Sequence, residues 1–131
     1  MKNNSKFISI SLAIVYIWFG ALKVIGQSPV EDLVKGTYPV FPEPLFLIFL
    51  GLWEIAIGVF LLNKKTLKLG ILLMWAQLGG IFLGAIISPP LYISGMNIFL
   101  LNTNGEFVVK NIVFIAATYY LWKEHSKRLN K

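Results

Sequence analysis

Ionisable residues inside apolar stretches are the part of this sequence most able to do chemistry. Glu54 lies near the middle of the apolar stretch 45–62, and Lys23 closes an earlier apolar stretch. Charged side chains are costly in hydrocarbon, so those that occur there usually face a partner or a polar cavity. A carboxylate at this depth can exchange a proton or accept hydrogen bonds from a bound molecule, and a nearby ammonium group can balance its charge.

Residues at helical spacing bring further polar groups toward the same place. Tyr16 lies two turns before Lys23, Gln77 lies inside a third apolar stretch, and Lys110 and Asn111 are adjacent near the start of a fourth. Residues one or two turns apart share a helix face, so these groups can converge. The predicted polar interior is biased to the outer half of the membrane and comprises Glu54, Lys23, Lys110, Gln77, Asn111, Tyr16 and Trp53.

Five of these positions also have a purely structural interpretation. The long stem of Lys23 can carry its charge to the outer interface, Gln77 can join two helices, and Trp53 can pack against lipid or the core. Lys110 can form a solvated pair with the acid one turn before it. A buried pair of Lys23 and Glu54 can specify helix packing without doing chemistry.

Small residues accompany the polar ones. Gly51 and Gly58 lie on the same face as Glu54, three and four residues away from it, and Gly80 and Gly84 form a GxxxG pair. Small side chains at such spacing allow the backbones of membrane helices to approach closely. We therefore predict close helix contacts at both sets of glycines.

The elements that must position these residues are four apolar stretches, each close to the length that crosses a bilayer. Hydrophobic residues make up 56% of the chain and the mean hydropathy is +0.71. Thr103 to Glu106 has the form of a capping box and lengthens the last stretch. The sequence predicts one domain over residues 1–131, an all-α integral membrane four-helix bundle with spans at 7–25, 45–62, 67–87 and 106–122. The first stretch resembles a secretory signal but lacks a clean cleavage site, so we interpret it as a retained helix.

The segment between the first two spans carries its own helix signals. Ser28 is a good N-cap, Pro29 suits the first helical position, and Gly36 is a typical helix end. These signals predict a short interfacial helix over residues 28–36 at the outer membrane face.

The positions of the basic residues predict the orientation. The turn 63–66, the first residues of the span after it and both chain ends hold nine of the twelve basic residues, namely Lys2, Lys6, Lys64, Lys65, Lys68, Lys123, Lys127, Arg128 and Lys131. Cytoplasmic segments of membrane proteins are enriched in Lys and Arg, so we predict that both termini lie in the cytoplasm. The lipid bilayer is then the partner that explains the net charge of +6, and no nucleic acid is expected.

Several kinds of chemistry have no residues to support them. The chain has no cysteine, and its single histidine, His125, lies in the basic C-terminal tail. No nucleotide-binding, zinc-protease or serine-hydrolase motif occurs. We assign no metal site and no catalytic residue, and whether the chain is an enzyme stays open. Any cofactor is an organic molecule or belongs to a partner.

Three segments in order resemble one known family. They are Trp18 to Lys23 (WFGALK), Gly51 to Glu54 (GLWE) followed by Gly58, and Gly105 to Asn111 (GEFVVKN). In these the chain resembles the DoxX family of small four-helix membrane proteins, which includes a subunit of thiosulfate:quinone oxidoreductase. The resemblance covers nearly the whole chain. It implies a four-helix bundle in a bacterial inner membrane and, for some members, a link to quinone or sulfur redox chemistry.

The leading functional hypothesis is a polar pocket in the outer half that binds a quinone or another small amphipathic molecule, within a small subunit of a redox complex. Glu54 would exchange a proton or accept a hydrogen bond, Lys23 and Lys110 would balance charge or hold an anionic group, and Gln77 and Asn111 would orient the ligand. One alternative is a permeation unit for protons or small solutes, working as a homo-oligomer. Another is an assembly or anchoring protein without a ligand.

Overall fold

All regular structure in the described part of the chain is helical. The computed structural model describes residues 3–42, 44–95, 97 and 99–130. Its helices are α1 (Asn3–Val24), α2 (Glu31–Thr37), α3 (Leu45–Leu62), α4 (Leu67–Ile87) and α5 (Thr103–Leu129), with a 3₁₀ turn at Pro89–Leu91. Within these ranges no strand occurs, only an isolated antiparallel bridge between Ile93 and Leu101. The all-α prediction is confirmed.

Three helices, α1, α3 and α4, are long and apolar enough to cross a membrane. Helices α3 and α4 begin and end at the predicted residues, whereas α1 begins earlier, at Asn3. Large apolar side chains such as Trp18, Leu52 and Ile86 are exposed on these helices. A surface of this kind is expected for a membrane protein, because soluble monomers rarely expose large contiguous apolar patches.

The fourth predicted span, 106–122, lies within the longer helix α5. Helix α5 is more polar than α1, α3 and α4, and it is not among the three helices that are long and apolar enough to cross a membrane. Its charged residues, which lie mostly near its two ends, are Glu106, Lys110, Lys123, Glu124, Lys127 and Arg128.

The four long helices contact one another in a ring. Helix α1 packs most extensively against α3, α3 packs against α4, α4 against α5, and α5 against α1. The contact of α1 with α3 brings backbone onto backbone. A Cβ added to Gly20 would lie 2.5 Å from the carbonyl oxygen of Gly51, and one added to Gly51 would lie 2.6 Å from that of Gly20. Gly58 meets α1 in the same way, near Ala13 and Ile17. Gly51 and Gly58 therefore have the packing role predicted for them.

The prediction of a close helix contact was wrong for Gly80, whereas Gly84 makes such a contact with the end of the short helix α2. A Cβ at Gly80 would meet no atom within 4 Å, so no neighbouring helix packs there. A Cβ at Gly84 would lie 2.5 Å from Cγ2 of Thr37, at the end of α2, and 3.4 Å from the hydroxyl of Tyr92. The spacing of Gly80 and Gly84 indicates that small residues share one face of α4. Which residues pack on that face depends on the segments that connect the helices.

Helix α2 begins three residues later than predicted. Ser28 is not its cap, because residues 28–30 form a turn in which the Ser28 hydroxyl accepts a bond from the Val30 amide at 3.4 Å. The helix then passes through Gly36 and ends at Thr37. Thr37 Oγ1 lies 2.9 Å from the Tyr92 hydroxyl, and the Tyr38 hydroxyl donates to the Gly80 carbonyl. These bonds tie the end of α2 to Tyr92 and the residue after α2 to α4.

Apolar packing fills the half of the molecule that holds the chain ends. Ser9 donates to the carbonyl of Leu61, so the start of α1 lies beside the end of α3. The Lys68 ammonium lies 4.9 Å from the centre of the Trp122 ring, so the start of α4 lies beside the end of α5. The buried core between these ends includes Leu12, Ile57, Leu61, Ile71, Met74, Leu78 and Leu121. The opposite half contains a cavity.

Asn102, and not the predicted capping box beginning at Thr103, caps α5. Asn102 Oδ1 accepts from the Gly105 amide at 3.0 Å, and its Nδ2 donates to the Leu91 carbonyl at 3.0 Å. Thr103 is the first helical residue and is exposed. The cap therefore lies one residue earlier than predicted. Asn and Thr are both preferred N-cap residues, so residue type alone did not distinguish the two positions.

Asn102→Ala should lower the free energy of unfolding by about 1–2 kcal/mol, because it removes the cap and the bond to Leu91. Thr103→Ala is the matched control and should change it by less than about 0.5 kcal/mol. Circular dichroism of each variant during unfolding in detergent micelles measures both. Equal losses for the two variants would contradict the assignment of the cap.

Candidate ligand-binding site

A cavity of about 530 Å³ lies in the half of the molecule away from the chain ends. All five helices and Tyr92 contribute to its wall, and ten of its twenty-five lining residues are aromatic. The aromatic residues are Tyr16, Phe19, Tyr38, Phe41, Phe46, Phe49, Trp53, Tyr92, Phe107 and Phe114. This size and lining are typical of sites for small organic molecules, which are mostly apolar with a few placed polar groups.

The polar groups centre on Glu54. The Lys23 ammonium lies 3.0 Å from Oε1 and 2.9 Å from Oε2 of Glu54, and Gln77 Nε2 donates to Oε1. Lys23 and Glu54 are each only 6% exposed. Removing two charges from water is costly, and close pairing with additional hydrogen bonds offsets that cost. The sequence-predicted trio of Glu54, Lys23 and Gln77 is thus joined in one cluster.

The glycine contact between α1 and α3 creates this ion pair. Gly20 and Gly51 lie one turn before Lys23 and Glu54 on the same faces, so the backbones are closest just beside the charges. A Cβ added to Gly51 would lie 3.0 Å from Cβ of Lys23. The lysine stem therefore crosses the glycine surface, which directs its ammonium group to the carboxylate.

Two buried polar atoms of residues that line the cavity have no hydrogen-bond partner among the described residues. They are Oε1 of Gln77 and Nδ2 of Asn111, and both residues line the cavity. The orientation of the Gln77 amide follows from Glu54, because its oxygen would be repelled by the carboxylate. Asn111 is 4% exposed. Each of these two residues of the cavity wall therefore keeps one buried polar atom unsatisfied.

Tyr16 and Trp53 form parts of the wall of the cavity, and Trp53 also packs against the apolar core. Tyr16 is buried, and its ring centre lies 6.0 Å from that of Phe114 on α5. Trp53 Nε1 donates to the Leu73 carbonyl at 3.3 Å, which ties its indole to α4. Both rings are therefore held by neighbouring helices.

Lys110 differs from the other predicted residues. It borders the cavity, but it is exposed and does not join the cluster around Glu54. Among the described residues Lys110 also forms no ion pair with Glu106, which was its alternative partner by sequence. All seven predicted residues line the cavity, with Lys110 at its rim.

The contribution of α2 and of the segment after it was missed. Thr37, Tyr38 and Tyr92 close the cavity on one side, and Phe41 stacks on Phe46 with ring centres 4.4 Å apart. Burial raises the pKa of the Tyr38 hydroxyl, and Tyr92 adds to the shift, so the group stays a donor to α4. The density of aromatic residues between the first two spans was the available signal.

No group of three metal-binding side chains occurs in the described ranges. His125 lies at the opposite end of the molecule, where partial burial and the charge of Lys68 lower the pKa of its imidazole.

Comparison with protein-family models, curated proteins and solved structures finds no match to this chain.

Proposed function

We propose that this chain is a DoxX-like four-helix protein of a bacterial inner membrane, and that its cavity binds a quinone or another small amphipathic molecule. Both termini lie in the cytoplasm and the cavity lies in the outer half of the bilayer. As a small subunit of a redox complex, the protein would hold the organic ligand while a partner exchanges electrons with it.

The length and surface of α5 support a fourth span. Its 27 residues extend about 40 Å at 1.5 Å per residue, which exceeds the hydrocarbon thickness. The helix closes the ring with α4 and α1. Its outward side chains Ile112, Val113, Ile115 and Tyr119 are exposed, and lipid would cover them as it covers the other three helices.

The distribution of charge supports the orientation. The described basic residues at the end with the compact core are Lys6, Lys64, Lys65, Lys68, Lys123, Lys127 and Arg128. The positive-inside rule assigns such an end to the cytoplasm. The cavity then faces the outer side.

The single observation that carries the binding proposal is the aromatic cavity beside the buried, charge-balanced cluster of Lys23, Glu54 and Gln77. A helix bundle that serves only as an anchor has no need of this space, since close-packed interiors are more stable. Permeation is less well supported, because Ile57, Leu61 and Leu121 pack the inner half and are almost completely buried.

Filling the cavity should displace the ligand. Gly80 lines the cavity and has no atom within 4 Å of an added Cβ, so Gly80→Leu places an isobutyl group in the empty space. We expect Gly80→Leu to lower the amount of co-purifying ligand at least about tenfold, which corresponds to about 1.4 kcal/mol of binding free energy. Extraction of protein purified in nanodiscs, followed by mass spectrometry, measures the retained molecules.

Gly79→Leu is the matched control. Gly79 is the preceding residue of the same helix, is exposed, does not line the cavity and also has no atom near an added Cβ. Both variants gain helix propensity, so both should unfold at similar temperatures. Wild type and Gly79→Leu should retain the same small molecule. A wild-type protein that retains only bulk lipid, or equal retention by all three proteins, would refute the binding proposal.

A further inference from the structure

The cavity carries one positive charge that no carboxylate of the described chain balances. Among the described lining residues three are charged, namely Lys23, Glu54 and Lys110. The Lys23 ammonium lies 2.9 Å from Oε2 of Glu54, so these two charges compensate each other. Lys110 makes no ion pair with any described residue. The uncompensated charge of the lining therefore lies at the rim, on Lys110.

Lys110 belongs to the face of α5 that forms the cavity wall. Phe107 lies three residues before it and Phe114 four residues after it, so the three side chains share a helix face. All three line the cavity, and Lys110 is exposed. The flexible stem of a lysine can lie along an apolar surface while its ammonium group stays in water. An aromatic wall that ends in a solvated positive charge matches a molecule with an apolar body and an anionic head.

The rim is also the part of the site where an anionic head is least costly to place. Deeper in the cavity such a head would meet the carboxylate of Glu54 and would lose its water. Lys110 lies seven residues after Thr103, which is about 10 Å from the start of α5 at 1.5 Å per residue. In the proposed orientation this position is near the outer interface, so the head keeps its contact with water while the body occupies the cavity.

Resting on the proposed function, we propose that the cavity binds a small amphipathic monoanion, namely an aromatic or alkyl carboxylate, in preference to an uncharged or cationic molecule of the same shape. The carboxylate accepts charge-assisted hydrogen bonds from the Lys110 ammonium at the rim. The ring or chain lies against Phe107, Phe114 and the rest of the aromatic wall. One lysine balances one negative charge.

Four probes test this preference. The compounds para-hexylbenzoate, para-hexylbenzamide and para-hexylbenzylamine share one ring and one tail and differ in the charge of the head, and hexyltrimethylbenzoquinone represents an uncharged quinone. Each is equilibrated with the full chain in nanodiscs of zwitterionic lipid, and bound probe is measured by mass spectrometry after subtraction of empty nanodiscs. We expect wild type to bind the benzoate about fivefold more tightly than the benzamide, the upper end for an ion pair that solvent reaches.

Three variants locate the preference. Lys110→Gln should weaken binding of the benzoate about fivefold and that of the benzamide less than twofold, and Lys110→Glu should favour the benzylamine over the benzoate. Lys123→Gln is the matched control, because Lys123 is an exposed lysine of the same helix that does not line the cavity. It removes the same charge and should leave the binding of all four probes within about twofold of wild type. Thermal unfolding of each variant checks that it is folded.

The outcomes separate this inference from the proposed function. If the benzamide or the quinone saturates wild type as tightly as the benzoate, the preference for an anion is wrong and the binding function stands. The same holds if Lys110→Gln and Lys123→Gln weaken binding of the benzoate equally, because the effect would then come from net charge. If no probe saturates the protein above the level of empty nanodiscs, both proposals fall.

Discussion

Lys23→Met should lower the free energy of unfolding by about 3–5 kcal/mol, the largest effect expected of a single side-chain change in this protein. The ammonium contacts both oxygens of Glu54 at 2.9 and 3.0 Å in a site where both residues are 6% exposed. Methionine keeps the length of the stem but leaves the carboxylate in the interior without its counter-charge. Unfolding in a denaturing-detergent titration, followed by circular dichroism, measures the loss.

The double variant Lys23→Met with Glu54→Gln is the control. It removes both charges together, while glutamine still accepts the bond from Gln77, so most of the lost stability should return. A double variant as unstable as Lys23→Met alone would mean that the loss comes from packing of the lysine stem. A loss below about 1 kcal/mol for Lys23→Met would show that the pair is not desolvated as the structure indicates.

Gly51→Ala should cost about 3 kcal/mol or more, because no methyl group fits where α1 and α3 touch. The added Cβ would lie 2.6 Å from the Gly20 carbonyl oxygen and 3.0 Å from Cβ of Lys23. The nearest group is backbone, so relief requires the helices to separate. That movement would also pull Lys23 away from Glu54. The same detergent titration gives the stability, and retention of the co-purifying ligand reports the state of the site.

Gly79→Ala tests whether the effect belongs to the contact. No atom lies within 4 Å of its added Cβ, so its stability should stay within about 1 kcal/mol of wild type or rise slightly through helix propensity. Equal losses at the two positions would show that the cost of Gly51→Ala is a general effect of replacing glycine in these helices.

Much of the helical framework and part of the site could be predicted from sequence. Lys23, Glu54 and Gln77 were placed in one polar interior because charged and amide groups inside apolar helices must find one another. Their hydrogen bonds agree with that expectation. Lys110 was grouped with them and lies at the rim, because helical position alone does not tell whether a long side chain near a helix end turns inward or toward solvent.

The sequence by itself determined the bounds of α3 and α4 and the inward face that carries Gly51, Glu54 and Gly58. These features follow from hydrocarbon thickness and helical periodicity, both of which act over short stretches of chain. Only the tertiary structure decided that α2 and Tyr92 cover Gly84, that Gly80 faces open space, and that the apolar core fills one half while the cavity occupies the other. The path of a connecting segment depends on contacts between residues far apart in sequence, such as Thr37 with Tyr92, and no local pattern encodes them.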